Sequence, residues 1–306
     1  MHVDAKAYKT GIVCTVAAYC LWGILPLYWK LLNHVPAMEI LAHRILWSFV
    51  FTGFIAAASM GLQPLRVILT NRRKLIPLLL SGILISGNWY AYIWAVNSNH
   101  VLEASMGYYI NPLMVVLLSV FVLKEKLTFW KWTATALAAA GVVVITLQYG
   151  QVPWIALILA STFAIYGLAK KMLAVPSLLG LVVETSVVTP IALLYIARLQ
   201  MDGTGSFAIN WSTSLLLAGA GIITATPLVL FAIGTQRIRF STVGFFQYIA
   251  PTITLILGVF VFRETFSLAH FFSFGLIWAG LVVFTLDNMH FLPPPPGAKH
   301  PLKVHS

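Results

Sequence analysis

Tyr109-Ile110-Asn111-Pro112 recurs later in the chain as Tyr248-Ile249-Ala250-Pro251. At the same offset Lys124-Glu125 recurs as Arg263-Glu264, and Gly141 as Gly280. Three matches at one offset mark an internal duplication and not a chance likeness among apolar segments. A looser match pairs Tyr19 with Phe163 and Trp22-Gly23 with Tyr166-Gly167, so small changes in loop length separate the halves. Around these motifs lie long apolar runs, and counting them defines the duplicated unit.

Hydrophobic residues make up 60% of the 306-residue chain and charged residues 9%, with a mean hydropathy of +0.90. A water-soluble domain of this composition would expose a vast apolar surface, so the solvent is lipid. A hydrocarbon layer about 30 Å thick takes roughly 20 apolar residues per helical crossing. Helices are the expected spanning element, because lipid offers unpaired backbone groups no partner. Apolar windows bounded by Pro, Gly and charge predict spans at 10–31, 38–59, 74–96, 104–123 and 131–148, then at 151–170, 178–199, 212–234, 241–262 and 269–290. The expected fold is an all-α polytopic membrane protein with ten transmembrane helices, arranged as five-helix repeats over 8–148 and 151–290. A unit with an odd number of crossings re-enters the membrane upside down, so the repeats are inverted. That is the arrangement of secondary transporters that hold substrate near the midplane between the halves. The first apolar run is too long for the core of a cleaved signal peptide and is expected to be retained.

The formal charge is +11, but the basic residues sit in short interhelical loops and do not form a nucleic-acid surface. With the N-terminus inside, Arg72-Arg73-Lys74, Lys124, Lys126, Lys131, Lys170-Lys171, Arg237 and Arg239 are cytoplasmic, and only Lys30, Arg198 and Arg263 lie outside. This bias predicts a multi-pass protein of the bacterial inner membrane with both termini cytoplasmic. Residues 291–306, which include Pro293 to Pro296, are expected to form an extended cytoplasmic tail. Cys14 and Cys20 lie on different faces of the first span and cannot bridge.

Inside the spans, charge is scarce. Arg44 is the basic residue placed within one, and Glu184 the acid. Counted from Val35-Pro36 and Val175-Pro176, the two positions are repeat-related. Burying either ion costs at least about 2.5 kcal/mol, so each is expected to face the bundle interior or a wet cavity. At about 1.5 Å per residue, Arg44 falls about 9 Å below the outer edge, near the depth of Asn88, Tyr108, Tyr109 and Asn111. Glu184 falls about 9 Å above the inner edge, near Thr224, Thr226, Gln247 and Tyr248. These residues form a candidate substrate cavity with two polar tiers. The structural alternative is helix-to-helix hydrogen bonding, worth about 0.6 kcal/mol each, or a static tether for the charged pair. Pro112 and Pro251 lack the N–H that would bond four residues back, which frees the carbonyls of Tyr108 and Gln247 and makes both prolines candidate hinges. Glu39 and His43, one turn apart near the outer end of the second span, are candidate proton carriers or an interfacial hydrogen-bonded pair. Glu125 and Glu264 are expected to cap helix ends. Trp89, Tyr90, Tyr92 and Trp94 wrap the third span, so part of this set faces the cavity and part meets lipid.

These residues resemble the drug/metabolite transporter superfamily, EamA type, and within it the RarD branch named for chloramphenicol sensitivity. The likeness is carried by Trp22-Gly23 with Pro26 to Lys30, Glu39 through His43-Arg44 to Trp47-Ser48, Gly107 to Pro112 with Lys124-Glu125, Thr226-Pro227-Leu228, and Gln247 to Pro251. It covers about residues 8 to 290. The resemblance implies ten crossings in two EamA repeats, and an efflux carrier of drugs or metabolites. Superfamily relatives include amino acid exporters and nucleotide-sugar carriers. Arg44 suits a carboxylate and Glu184 an amine, so a zwitterion such as an amino acid is the leading expectation.

No motif of covalent chemistry competes with transport. The histidines show no His-Glu-x-x-His spacing, no acidic cluster suits magnesium, and no Gly-rich phosphate loop is present. Neither an enzyme nor an ATP-driven pump is expected, and no cofactor or metal. A receptor would need an exposed domain, which a short tail does not provide. A channel is the remaining alternative. The expected partners are a small-molecule substrate and the lipid bilayer, with no nucleic acid; a homodimer is left open.

Overall fold

The computed structural model describes residues 5–61, 63–98, 100–173, 175–261, 263, 267–289 and 291–292. Glu264, His290 and the tail with Pro293 to Pro296 therefore lie outside the described residues. Ten helical spans are long and apolar enough to cross a membrane. The first half comprises α1 (Ala5–Leu31), α2 (Ala37–Met60), α4 (Arg72–Asn97), α5 (Val101–Phe121) and α6 (Phe129–Tyr149), with a short α3 (Gln63–Thr70) between the second and third spans. The second half comprises α7 (Trp154–Met172), α8 (Ser177–Met201), α9 (Trp211–Arg237), α10 (Phe240–Phe246) followed by α11 (Ile249–Phe260), and α12 (Leu268–Asn288).

Local chemistry sets the ends. Thr128 accepts from the Lys131 N–H to cap α6, and Ser267 accepts from the His270 N–H to cap α12. Asn210 does the same for α9 through the Thr213 N–H. Lys124 and Arg263, the matched basic residues of the duplicated motif, both adopt a left-handed φ of 56°. A side chain at that φ carries backbone strain, so the sharp turn after the fourth and ninth spans is the same device made twice.

Helix α6 packs on α12, α5 on α7 and α10, α1 on α9 and α11, α2 on α8 and α9, and α4 on α7 and α8. Exchanging each span for its counterpart in the other half turns α1–α9 into α7–α4, α1–α11 into α7–α5, and α2–α9 into α8–α4. The pairs α2–α8, α5–α10 and α6–α12 map onto themselves. The last pair crosses on glycine. A Cβ at Gly141 would stand 2.6 Å from the Ser273 carbonyl oxygen, and one at Gly280 2.7 Å from that of Ala134. As α6 advances from Ala134 to Gly141, its contacts on α12 retreat from Gly280 to Ser273, so the two helices run antiparallel.

Two lysines expected in loops are buried on helices. Lys131 on α6 lies 3.8 Å from Asp287 of α12, and Lys170 on α7 lies 2.5 Å from Glu184 of α8. The helices extend past the apolar windows that bounded the predicted spans, and each ammonium is turned inward to an acid that offsets its desolvation. The ninth span also differs from expectation. It is interrupted at Gln247-Tyr248, whereas α5, which carries the matching motif, is continuous through Pro112.

Candidate functional site

Arg44 projects from α2, half-buried, into an aromatic slot. Its Cζ lies 4.8 Å from the centroid of Trp29 on α1 and 5.3 Å from that of Trp89 on α4. Its Nε donates to Thr224 Oγ1 of α9 at 3.0 Å. The phenols of Tyr92 and Tyr108 lie within electrostatic reach of the guanidinium, and their rings meet edge-on at 6.1 Å. The Tyr108 side chain is 54% exposed at the protein surface, while its hydroxyl is turned in toward Tyr92 and the guanidinium. Thr224 was expected at the depth of Glu184 and instead joins Arg44. It sits midway along a 27-residue helix, and the long arginine stem reaches down to it.

Glu184 does not stand alone, which corrects the expectation of an unpaired carboxylate. Lys170 Nζ donates to Oε1 at 2.5 Å and the Tyr166 hydroxyl to Oε2 at 3.3 Å, with all three side chains buried. Gly82 of α4 brings its backbone against the same turn of α8: a Cβ there would lie 2.6 Å from the Glu184 carbonyl oxygen. Arg44 and Glu184 are therefore separate sites.

An aromatic cluster built from the loosely matched motifs lies beside Glu184. Tyr19 and Trp22 of α1, Phe163 and Tyr166 of α7, and Phe231 of α9 pack with centroids 5.2 to 6.2 Å apart. Tyr166 touches Glu184 at one end. Trp22 shares an apolar cluster with Trp89, the Arg44 neighbour, at the other.

Other predicted residues divide by what they touch. Asn88 donates to the Leu159 carbonyl at 2.9 Å and to Thr162 Oγ1 at 2.7 Å, and Asn111 donates to the Ala160 carbonyl at 2.7 Å. Both amides tie α4 and α5 to consecutive residues of α7, the helix-to-helix role. Thr226 bonds back to the Ile222 carbonyl of its own helix. Tyr109 packs edge-on against Phe274 at 5.3 Å.

Glu39 and His43 do not bond each other, contrary to the expected pair. The Glu39 carboxylate accepts from Ser206 N–H at 2.6 Å and Ser206 Oγ at 2.9 Å. His43 stacks on Phe207 at 5.0 Å and accepts from Trp47 Nε1 at 3.2 Å. Both residues thus hold down the segment that links α8 to α9. Glu125 is a cap, as expected, but of a different helix: it accepts from Phe240 N–H, Ser241 N–H and Ser241 Oγ at the start of α10.

The interruption of the ninth span is polar and unsatisfied. Gln247 is 4% exposed, yet neither atom of its carboxamide has a hydrogen-bond partner among the described residues. The buried hydroxyls of Tyr248 and Tyr19 meet no partner at full hydrogen-bonding geometry either, although the Tyr19 hydroxyl stands close enough to the Gln247 carboxamide to interact with it. Pro251 cannot bond the Gln247 carbonyl, which accepts from the Ala250 N–H at 3.3 Å instead. Tyr19 was legible only as a repeat match. Its place beside Gln247 had no signal in the sequence.

Comparison with known proteins places this geometry. Residues 9–147 match the EamA-like transporter family. The uncharacterized transporter YojE of Bacillus subtilis is 48% identical over 288 residues, covering 92% of this chain and 95% of that protein. Protein RarD of Escherichia coli is 40% identical over 289 residues, covering 94% of this chain and 98% of that one. A solved crystal structure with 22% identity superposes with a TM-score of 0.71 over 92% of this chain and 98% of its own, and supports the fold. With spans, duplicated motifs and full-length relatives in agreement, the chain belongs to the EamA-like transporter family, among RarD-type drug/metabolite transporters, and is a multi-pass membrane transporter and not an enzyme.

Proposed function

We propose that this transporter is a secondary or facilitated carrier that exports a small metabolite or drug across the bacterial inner membrane. It works by alternating access of two inverted repeats, 8–148 and 151–290, with both termini in the cytoplasm. The observation that carries the reading is the ninth span. One motif, Tyr-Ile-x-Pro, is continuous helix in α5 and begins within a break in its counterpart, beside the buried Gln247 carboxamide. Broken spans with free polar groups are where such carriers hold substrate. The exchange-symmetric helix pairs and the antiparallel α6–α12 crossing support the inverted arrangement. In the opposite-facing state the two motifs trade conformations, with Pro251 and Pro112 as hinges. Arg44, Tyr108, Gln247 and Tyr248 line the path; Asn88 and Asn111 keep α7 in register, and Thr226 and Tyr109 complete its wall.

The paired Glu184 withdraws the amine half of the expected zwitterion, so an amino acid has no privileged place among candidate cargoes. Proteoliposome uptake of a panel of amino acids and other metabolites, with and without a proton gradient, tests the reading. Saturable uptake with counterflow is the expected result. Unsaturable flux means a channel, and no protein-dependent flux of any member removes the carrier assignment.

A further inference from the structure

We infer that the Arg44 slot is a receptor for an organic anion: a small carboxylate or sulfonate with a flat apolar body. This rests on the carrier reading and names its cargo class. A guanidinium offers five N–H donors in one plane. Here Nε serves Thr224, and the two terminal nitrogens, with four N–H groups between them, make no hydrogen bond to another described side chain or carbonyl. The rings of Trp29 and Trp89 lie against the guanidinium. Indoles satisfy it through cation–π attraction but accept none of its in-plane hydrogen bonds. What is left is a bidentate fork, the geometry that matches two oxygens of one oxyanion.

Charge points the same way. Among the described residues no carboxylate lies within ion-pair distance of Arg44. Glu39, on the same helix, is occupied by Ser206, and Glu184 by Lys170 and Tyr166. A cation held in a membrane without a counter-ion is costly, and an arriving anion relieves that cost. A zwitterion would bring an ammonium for which the described residues around Arg44 offer no free acid, and a cation would meet repulsion. Around the fork, Tyr92 and Tyr108 add aromatic surface and hydroxyl donors for the body and outer oxygen of such a ligand.

The test uses the purified full chain in phosphatidylcholine proteoliposomes with three probes of one shape. These are benzenesulfonate, which is permanently anionic and does not cross lipid unaided; benzenesulfonamide, neutral; and benzyltrimethylammonium, cationic. Saturable, counterflow-competent uptake of benzenesulfonate is expected, inhibited by benzoate and not by the other two. Arg44→Lys keeps the charge but loses the fork, and should lower this uptake about tenfold; Arg44→Gln should abolish it. Preference for either of the other probes, or for a neutral or cationic member of the metabolite panel, overturns the anion assignment and leaves the carrier reading standing. So does wild-type benzenesulfonate uptake by Arg44→Gln. If no solute of any charge moves, both fall. Should Arg44→Gln fail to fold, Arg44→Lys and the charge preference of the wild type decide.

Discussion

Replacing Glu184 with Gln should destabilise the protein through the lysine it leaves behind. Lys170 Nζ and Glu184 Oε1 are 2.5 Å apart, with side chains 3% and 0% exposed. Breaking a buried pair from one side costs about 3–5 kcal/mol, because the remaining charge stays desolvated. The Tyr166 ring, 5.2 Å from Nζ, retains a cation–π contact with the ammonium. Because that contact is present in both proteins it cancels in the difference, and the expected loss stays at about 3–5 kcal/mol. Such a loss lowers the folded-to-unfolded ratio by roughly 150- to 5,000-fold. Replacing both partners, Lys170→Met with Glu184→Leu, removes both desolvation costs and should fall within about 1 kcal/mol of wild type. Reversible unfolding in one detergent, across wild type, Lys170→Met, Glu184→Leu and the double, gives the coupling energy. A value of at least about 2 kcal/mol is expected. Additivity within about 0.5 kcal/mol would mean the charges do not interact in the folded protein, and the pair as described would be wrong. Transport by the double variant then separates a tether, which it replaces, from a participant in the cycle, which it cannot.

Gln247→Leu replaces a buried carboxamide without partners and should raise stability by up to about 1–3 kcal/mol in thermal unfolding while lowering transport; lost stability together with normal transport would show that the amide is structurally satisfied. Gly280→Leu forces a side chain onto the Ala134 carbonyl and should cost about 1–3 kcal/mol, with Gly141→Leu matching it at the related contact. A large difference between those two variants would argue against equivalent crossings. Glu39→Gln weakens two charge-assisted hydrogen bonds to Ser206 and should make the chain cleavable near Gly203–Gly205 in limited proteolysis at unchanged global stability. Asn88→Ala removes two donors from the α4–α7 contact and should cost about 1 kcal/mol, read by the same unfolding assay.

The spans were legible because hydropathy reports length, and length is what a bilayer demands. The short α3 was not, since eight residues containing Pro64 and Arg66 carry no spanning signal. The break at Gln247-Tyr248 was invisible to an apolar window because its flanks, from Phe240 to Phe260, are almost uniformly hydrophobic; only Pro251 hinted at it. Arg44 and Glu184 stood out as charges in apolar runs, but their partners did not. Lys170 reads as half of a Lys170-Lys171 loop signal, and only the packing of α7 on its neighbours turns one ammonium to Glu184 and the other to the Ile238 carbonyl. Trp29 reads as an interfacial aromatic and is in fact one wall of the arginine slot. Pairing of this kind depends on helix rotation, which single-sequence periodicity does not fix when every face is apolar.

The stack of Tyr19, Trp22, Phe163, Tyr166 and Phe231 has a bearing on bioenergetics. Water chains, and the protons that hop along them, need hydrogen-bonding walls, and a plug of rings offers almost none. The expected consequence is that many copies of such a protein can sit in an energised membrane without short-circuiting it, the packed rings resisting proton leak between cargo passages.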